Sequence, residues 1–556
     1  MASSRTKRIA IIGAGASGMT SAKACLEQNL EPVVFEKTNY TGGLWRFQNK
    51  VTEDGIASVM QSTIINSSKE MSAFSDFPPP ADYPNYMHNT KQVAYFDLYA
   101  EKFNFIKYVR FRTEVISVEQ ASDFDATGRW SIRSRNLDTS EEKTEIFDGV
   151  MVCTGHHGTV NQPKIPGEEK FRGTIMHTHS LKNSKGFENK NVVVVGIGNS
   201  GGDAAVELSV VAKQVYLSTR SGSWIFHRVA SNGRPFDQYM HRRLMKWLFM
   251  LVPYSLACWF IELYLNSVFN HDDYQLEPQH RVFSQHIMVN DALPNRILSG
   301  TVIVKGDIDH LTENGVVFKG ETEAVPCDCL IMATGYKITF PFISEQLVPV
   351  HRNKVRLYKW QFIPNIAHAH TLAFISLAQP IGALLPIGEL QSRWFALLMA
   401  NKLRLPSRDK MEEDIRAKEQ FQQRFTQSER HTIQVDWVPF MDELAMEIGA
   451  YPKLWKYLFT DPKLFFNLIL GASAPYQYRL EGPNPWSGAR DAMLTVQDRI
   501  TAALATNKSR NQNKKAKSPM NFVARNLNFM NVVLGTTFFG VGLILLAFTW
   551  IMTKLL

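Results

Sequence analysis

Two short apolar runs, residues 9–12 and 192–195, each end in a glycine-rich turn that leads into apolar positions at helical spacing. A continuous apolar run of this length is typical of a strand that is covered on both faces, as in a parallel sheet. A strand, a glycine turn and a helix in this order begin a dinucleotide-binding unit. We therefore predict an α/β protein with two Rossmann-like domains.

The two turns carry the same glycine spacing. In this fingerprint the first glycine permits a tight turn, the second lets the backbone approach a pyrophosphate, and the third lets the helix pack closely on the strand. The pyrophosphate then lies at the N-terminus of the helix. The glycines are Gly13, Gly15 and Gly18 in the first turn and Gly196, Gly198 and Gly201 in the second.

The next strand of each unit distinguishes the two sites. In the first unit this strand ends at Glu36, and a carboxylate there accepts hydrogen bonds from a ribose diol and repels a 2′-phosphate. At the matching place of the second unit the chain has Ser218, Thr219 and Arg220. Hydroxyls beside a guanidinium suit a 2′-phosphate. The sequence thus predicts FAD at the first site and NADPH or NADP+ at the second.

Length and composition limit the number of domains and the classes of partner. The chain has 556 residues, of which 45% are apolar and 20% are charged, and its formal net charge is +9. This length can hold two or three domains. The sequence contains no zinc finger, RNA-binding signature or basic helix with heptads, so we expect no nucleic-acid partner. Five unevenly spaced cysteines indicate a reducing compartment without a disulfide framework.

The end of the chain has a different pattern. Residues 532–552 contain no charged side chain and are rich in Leu, Phe, Val and Gly, and about 20 such residues can cross a bilayer as a helix. We predict a transmembrane helix over residues 531–553, preceded by a basic linker over residues 506–530. The basic residues upstream predict that the body of the protein stays cytosolic. A buried core helix is the alternative.

Two segments that read as a strand ending in Thr-Gly, at 147–155 and 329–335, indicate crossings between the domains. The NADP-binding domain therefore interrupts the FAD-binding domain. The predicted units are the first part of the FAD-binding domain at 1–157, the NADP-binding domain at 158–335, and the completion of the FAD-binding domain with a substrate-side region at 336–505.

Inside the NADP-binding domain, a helical, membrane-associated insertion is predicted over about residues 238–300. Residues 238–270 carry large apolar groups with basic residues nearby, and Pro253 divides them into two amphipathic helices. These helices either dip into a membrane interface and cover a substrate tunnel, or pack as a hydrophobic subdomain on the core.

A further motif, Phe171-x-Gly173-x-x-x-His177-x-x-x-Leu181, precedes the second fingerprint. It resembles the signature of the flavin-containing monooxygenases, the membrane-bound microsomal enzymes of animals, in which the last position is Tyr or Phe. Leu181 departs from that pattern, and the Trp of the related Baeyer–Villiger monooxygenases is absent as well. Residues 66–78, 333–336 and 379–383 and the apolar tail resemble the same family, so the resemblance covers essentially the whole chain.

The resemblance assigns roles to individual positions. Asn66 becomes the side chain beside the reactive flavin carbon, where a neutral amide can donate a hydrogen bond to a peroxide oxygen. From the residues alone, Asn66 is alternatively the start of a capped helix. Gln379 is expected against the flavin ring, and His177 in the ordering of the linker between the domains. The remaining expected positions are Gly43, Leu44 and Trp45 at FAD, and Asn199 and Ser200 at the NADP pyrophosphate or the flavin edge.

The function implied by the resemblance is that of an NADPH- and O2-dependent monooxygenase. The reduced flavin forms a C4a-(hydro)peroxyflavin, which oxygenates soft nitrogen or sulfur centres of lipophilic, xenobiotic-type molecules. One alternative is Baeyer–Villiger oxygenation of ketones, because residues 284–297 resemble a vertebrate isoform with that activity. Another is an NADPH oxidase that releases hydrogen peroxide. The family also implies the endoplasmic reticulum membrane, and the sequence is compatible with a homo-oligomer.

Two further alternatives are weaker. A pyridine nucleotide–disulfide reductase would need a redox-active cysteine pair, and none of the five cysteines is spaced for one. A protein that keeps FAD only for folding would not need the second fingerprint. We also find no convincing Ser-His-Asp, Cys-His or metal constellation in the sequence, so the chemistry is expected to come from the cofactors.

Overall fold

Strands form where the apolar runs predict them, together with many shorter ones. The computed structural model describes residues 5–52, 55–230, 233–425 and 432–507. Its strands are β1 (Arg8–Ile12), β2 (Glu31–Phe35), β3 (Val109–Arg110), β4 (Thr113–Gln120), β5 (Trp130–Asn136), β6 (Glu142–Phe147), β7 (Gly149–Val152), β8 (Thr159–Val160), β9 (Thr174–His177), β10 (Asn191–Val195), β11 (Gln214–Ser218), β12 (Ile225–Phe226), β13 (Met288–Val289), β14 (Val302–Lys305), β15 (Ile308–Leu311), β16 (Gly315–Phe318), β17 (Val325–Pro326), β18 (Cys329–Met332), β19 (Tyr336–Lys337), β20 (Val350–His351), β21 (Lys354–Val355), β22 (Leu372–Phe374), β23 (Gln379–Ile381) and β24 (Gln434–Asp436).

Helices follow both glycine turns, and a further seven of the described helices lie between Leu385 and Leu504. They are α1 (Ala16–Glu27), α2 (Asn89–Lys102), α3 (Phe124–Thr127), α4 (Asn199–Leu208), α5 (Asp237–Met240), α6 (Arg243–Leu251), α7 (Tyr254–Val268), α8 (Leu293–Leu298), α9 (Leu385–Met399), α10 (Arg408–Phe425), α11 (Trp437–Glu447), α12 (Leu454–Thr460), α13 (Pro462–Leu470), α14 (Ala489–Leu494) and α15 (Val496–Leu504).

The first sheet has the strand order β22-β7-β1-β2-β3, and all of its neighbouring strands are parallel. In its register Ile12 lies beside Phe35 on one side and Val152 on the other. The carboxyl ends of three strands therefore meet at the turn that begins with Gly13, which is where ligands bind in sheets of this kind. Helix α1 packs against this sheet and against α9. Strand β22 comes from far along the chain, so residues on both sides of the second sheet build the first one.

The second sheet has the order β14-β11-β10-β18-β9 and is also parallel throughout. Val195 of β10 pairs with Ser218 of β11 and Met332 of β18, and Met332 pairs in turn with His177 of β9. The second glycine turn, the strand end that carries Ser218 and the end of β9 at His177 thus share one edge. The two sheets match the Rossmann-like α/β fold that the sequence predicts, and the domain boundaries stay predictions.

Helices α6 and α7 lie on either side of Pro253, as the sequence predicts. One face of α7 is buried, with Cys258 and Leu265 in a cluster that includes Trp224. Other side chains of these two helices face outward, and Met250 of α6 and Trp259 of α7 are exposed. The insertion therefore both packs on the core and presents apolar groups outward, so the two alternatives for it are not exclusive.

The predicted membrane helix belongs to the C-terminal segment of the chain. Residues 508–556, which contain it and most of the basic linker, lie outside the described residues. Within the part of the chain that is described, no helix combines the length and the apolar character needed to cross a bilayer.

Candidate active site

The first glycine turn has the geometry of a close-packed phosphate-binding turn. Gly13 has φ +106°, a conformation that side chains with a Cβ rarely adopt, and its N–H donates to Phe35 O at 2.8 Å. A Cβ on Gly18 would lie 2.0 Å from Gly13 O, so only glycine lets α1 pack against the turn. Glu36 accepts hydrogen bonds from Ala14 N at 2.7 Å and Thr38 N at 2.8 Å. Its carboxylate is thereby fixed beside the turn.

A second glycine segment crosses this turn. A Cβ on Gly43 would lie 3.2 Å from Gly15 Cα, so two stretches of backbone without side chains face each other here. Leu44 and Trp45 follow directly and lie in the wall of a large cavity. The approach of bare backbone to the turn, continued by residues of the cavity wall, fits the extended shape of FAD.

The second turn repeats this geometry. Gly196 has φ +103°, and a Cβ on Gly201 would lie 1.9 Å from Gly196 O. Gly198 differs, because no atom of the described residues beyond its chain neighbours lies within 4 Å of the Cβ position. The space above Gly198 opens into the cavity. This fits a pyrophosphate at the N-terminus of α4.

The cavity has a volume of about 1840 Å³ and joins the second turn to the predicted flavin-facing residues. From the second unit it is lined by Gly196, Gly198, Asn199, Ser200, Ser218, Thr219 and Arg220, and from elsewhere by Leu44, Trp45, Asn66 and Gln379. Gly13, Gly15, Gly18, Glu36, Gly43 and Gly201 are not among its lining residues; the first five lie at or beside the first turn, and Gly201 lies under the second.

The three predicted contacts for a 2′-phosphate are not equally available. The Ser218 hydroxyl donates to Gly306 O at 2.8 Å, and the Thr219 hydroxyl accepts from Gly222 N at 3.0 Å. Both side chains are buried, whereas Arg220 is exposed at the edge of the cavity. The Ser218 proton is therefore engaged, whereas Thr219 keeps its hydroxyl proton and Arg220 its guanidinium for an anion.

Asn66 is held by a residue that the sequence analysis did not identify. Residues 66–68 lie in a bend and the loop after it, so the capped helix start is not formed. Arg228 Nη2 donates to Asn66 Oδ1 at 2.7 Å, and Arg228 Nη1 donates to Asp291 Oδ2 at 2.9 Å. Because a guanidinium can only donate, the amide oxygen must face Arg228. The amide nitrogen of Asn66 is therefore not the atom that faces Arg228, and Asn66 lines the cavity.

Burial controls the charge of the cavity wall. It lowers the pKa of His157 and of His286 to about 4, and it holds the pKa of His156 well below the ordinary value. Burial also raises the pKa of Asp203 to about 6, against the attraction of Arg228. At pH 7 the three imidazoles are neutral, so this part of the wall suits uncharged groups such as the dihydronicotinamide of NADPH and a lipophilic molecule.

His177, at the end of β9, is bonded to the second crossing between the sheets. Its Nδ1 accepts from His179 N at 3.1 Å, so Nε2 carries the proton and donates to Gly335 O at 3.1 Å. The ordering role of His177 stays a prediction. Leu181 is buried in the same apolar cluster as Met60, so the position that departs from the motif serves in packing.

Comparison with known proteins agrees with this geometry. The model of the flavin-binding monooxygenase-like family matches residues 6–540. Flavin-containing monooxygenase 5 of Homo sapiens is 48% identical over 505 residues, which cover 90% of this chain and 93% of the human protein. The N-oxide-forming dimethylaniline monooxygenase 2 of Macaca mulatta is 43% identical over 530 residues, or 95% and 98% of the two chains.

Solved structures with a similar fold are more distant in sequence. S-allyl-L-cysteine S-oxygenase from Allium sativum has a TM-score of 0.61 at 22% identity, covering 90% of this chain and 99% of that one. An ε-caprolactone-bound cyclohexanone monooxygenase has a TM-score of 0.58 at 16% identity, covering 80% and 98%. These two similarities concern the fold.

Proposed function

The chain belongs to the flavin-binding monooxygenase-like family, and on this premise we propose that it oxygenates soft nitrogen or sulfur centres of lipophilic small molecules. It is a monooxygenase that uses FAD and NADPH. The observation that carries the proposal is the single cavity in which the second glycine turn and the neutral amide of Asn66 meet. An amide that donates without losing a proton favours attack by a nucleophilic substrate over attack on a carbonyl.

The protein's contribution is to bind, orient and exclude water. When bound, the flavin accepts a hydride from NADPH and activates O2. Glu36 and the Gly13 turn would hold its adenosine end, and Leu44, Trp45 and Gln379 would face its other end. Arg228 keeps the amide nitrogen of Asn66 directed to the cavity. The neutral histidines keep that end of the cavity uncharged, which limits side reactions with water.

Baeyer–Villiger oxygenation of ketones is the second candidate. It is favoured by residues 284–297, since Gln285 and His286 line the cavity. Carbonyl attack needs a deprotonated oxygen nucleophile, and a basic group nearby would help to form it. Because burial lowers the pKa of His286 to about 4, its imidazole is a weak base. This property places nitrogen and sulfur oxygenation first.

The test compares three substrates on one preparation. The full chain, purified in mild detergent with FAD, would receive NADPH and an aryl methyl sulfide, a tertiary amine or a lipophilic ketone. We expect the sulfide to give a sulfoxide and the amine to give an N-oxide, each in an amount nearly equal to the NADPH consumed in that reaction. Ester formation from the ketone as the main product would reverse the order of the two candidates. Hydrogen peroxide equal to the NADPH consumed, without oxygenated product, would refute both and favour the oxidase.

The chain is further proposed to be anchored by residues 531–553 in the endoplasmic reticulum membrane, with the body cytosolic. Support comes from the apolar sequence of that segment and from the outward faces of α6 and α7, which expose Met250, Leu251 and Trp259. The basic linker would lead into this anchor, and α6 and α7 would lie at the membrane surface. Carbonate extraction of membranes should retain the full chain and release a chain that ends at residue 507. Release of both would refute the anchor.

A further inference from the structure

One wall of the cavity is formed by an irregular segment, which we call the wall segment (residues 55–64). Ser58, Met60 and Ile64 of this segment line the cavity. The chain continues directly from it to Asn66. The position of the wall segment therefore affects both the space above the nucleotide turn and the placement of the Asn66 amide.

The wall segment is fastened to the linker between β9 and β10. The ammonium group of Lys182 donates to Ser58 Oγ, to Thr52 Oγ1 at 3.2 Å and to His179 O at 3.1 Å. His179 Nε2 lies 2.7 Å from Ile56 O, and since a carbonyl can only accept, this nitrogen is the donor. Two side chains of the linker thus hold the wall segment through hydrogen bonds.

The linker is itself fixed to the second sheet. His179 N donates to His177 Nδ1, whose ring donates from Nε2 to Gly335 O. Gln61 N donates to Lys182 O at 2.7 Å. A continuous series of hydrogen bonds therefore runs from the second crossing, through the linker, to the wall of the cavity.

Lys182 is an unusual choice for such a contact. It is buried, and its acceptors are two hydroxyls and one carbonyl, none of which carries a charge. Lysine is rarely buried without an ionic partner, and burial lowers the pKa of Lys182 to about 8.

A hydroxyl in the same linker indicates what the wall segment covers. Thr178, between His177 and His179, is 8% exposed and lines the cavity, and its Oγ1 has no hydrogen-bond partner among the described residues. A buried hydroxyl without a partner is costly. A polar ligand in the cavity would satisfy it, which couples the occupant of the cavity to the linker that holds the wall.

We infer that Lys182 and His179 are positioning residues that hold the wall segment closed over bound NADP+, and that they thereby keep the nucleotide in place while the substrate is oxygenated. The inference rests on the proposed function for the identity of the nucleotide. Neither side chain touches the reacting atoms, so their effect appears in nucleotide retention and in the proportion of NADPH that is lost as hydrogen peroxide.

The test uses the FAD-loaded full chain and three variants. Lys182→Met removes the donors and keeps the length of the side chain, Ser58→Ala removes an acceptor from the wall alone, and Lys185→Met is the control at an exposed lysine of the same linker. Hydrogen–deuterium exchange would follow peptides from residues 55–65, with peptides of α10 as internal reference. Stopped-flow displacement would give the rate of NADP+ release.

In Lys182→Met we expect exchange at 55–65 and NADP+ release to rise about tenfold, the effect of losing one hydrogen bond to a charged group. Ser58→Ala should shift both in the same direction by a smaller factor, and Lys182→Arg should restore most of the loss. The share of NADPH that yields hydrogen peroxide should rise in parallel. FAD content and exchange in α10 should match the wild type.

The inference is overturned if exchange and NADP+ release in Lys182→Met equal those of Lys185→Met. If Lys182→Met does not fold, the result for Ser58→Ala decides, because that change leaves the linker intact; unchanged exchange and release there overturn the inference too. Failure of the proposed function has a different signature. Oxygenated product would then be absent in the wild type, whereas the nucleotide-release comparison between variants would remain readable.

Discussion

The same change, glycine to alanine, should affect packing at Gly201 of the second turn and cofactor binding at Gly198. Gly201→Ala would place a Cβ 1.9 Å from Gly196 O and 3.2 Å from Ala333 Cβ. Gly198→Ala would place its Cβ in open space of the cavity, and Gly198 has φ −76° and ψ −177°, which alanine adopts freely. We expect Gly201→Ala to damage the fold and Gly198→Ala to damage only nucleotide binding.

The magnitudes follow from these contacts. The nearest atom to the new methyl of Gly201→Ala is a backbone oxygen, so α4 would have to move by about 1 Å or more, and forcing extra volume into a packed site costs about 1–3 kcal/mol. For Gly198→Ala we expect a change within about 0.5 kcal/mol, as for substitutions that meet no neighbour. Saturating NADP+ at 100 times its Kd should add about 2.7 kcal/mol to the wild type.

The assay is thermal unfolding of the FAD-loaded protein with and without NADP+. For a domain of this size about 1 kcal/mol corresponds to roughly 2–4 °C in Tm. Gly198→Ala should unfold with the wild type when NADP+ is absent and should lose most of the increase that NADP+ causes. Gly201→Ala should unfold several degrees earlier in its absence. The reasoning is refuted if Gly198→Ala lowers the Tm as far as Gly201→Ala does and keeps the NADP+ increase.

Three other outcomes are expected. Arg220→Ala should lower kcat/KM for NADPH relative to NADH by about ten- to a hundredfold, since a hydrogen bond between charged groups contributes about 1.5–3 kcal/mol; an unchanged ratio would exclude Arg220 from the 2′-phosphate site. In Arg228→Lys no planar guanidinium can bond to Asn66 and Asp291 at the same time. Hydrogen peroxide released per NADPH should therefore rise with little change in KM for NADPH, and an unchanged yield of oxygenated product per NADPH would contradict this role of Arg228. The pKa of Lys182 is about 8 in the closed wall and 10.5 for an exposed lysine, so between these pH values opening of the wall takes up a proton. Opening therefore becomes less favourable as the pH rises, and NADP+ release should slow from pH 7 to pH 9 in the wild type. In Lys182→Met, which keeps the facing imidazoles of His177 and His179, this pH dependence should be absent.

The elements that could be predicted are those whose cause is local in sequence. The runs before Gly13 and Gly196 are apolar without alternation, and both became central strands of parallel sheets. Pro253 removes a backbone donor and ends α6 where the sequence predicts a break. The prediction of FAD at the first site likewise depends on one residue, Glu36, at the end of one strand. In each case a few adjacent residues contain the physical reason.

The contacts at Asn66 could not be predicted in the same way. Arg228 lies 162 residues away in the chain and follows a two-residue strand, β12, that has no periodic pattern of its own. The expected phosphate contacts of Ser218 and Thr219 stay predictions, and the sequence does not show that backbone groups already bond to both hydroxyls. Which polar atoms remain available depends on the folded neighbours, and this decides what a site can bind.

The 171–181 motif shows why a recognised pattern can still conceal its physical role. In the sequence, Lys182 belongs to a polar stretch with Asn183, Ser184 and Lys185 that is typical of a solvated loop. In the fold, β9 ends at His177, and the chain then runs under the wall segment, which buries Lys182 and leaves Lys185 exposed. Leu181 points into the apolar cluster with Met60, so that position needs volume and not an aromatic ring. The motif therefore belongs to a linker that is hydrogen-bonded to the second sheet at His177 and to the cavity wall at His179. Lys182, the residue after the motif, adds a second bond to the wall.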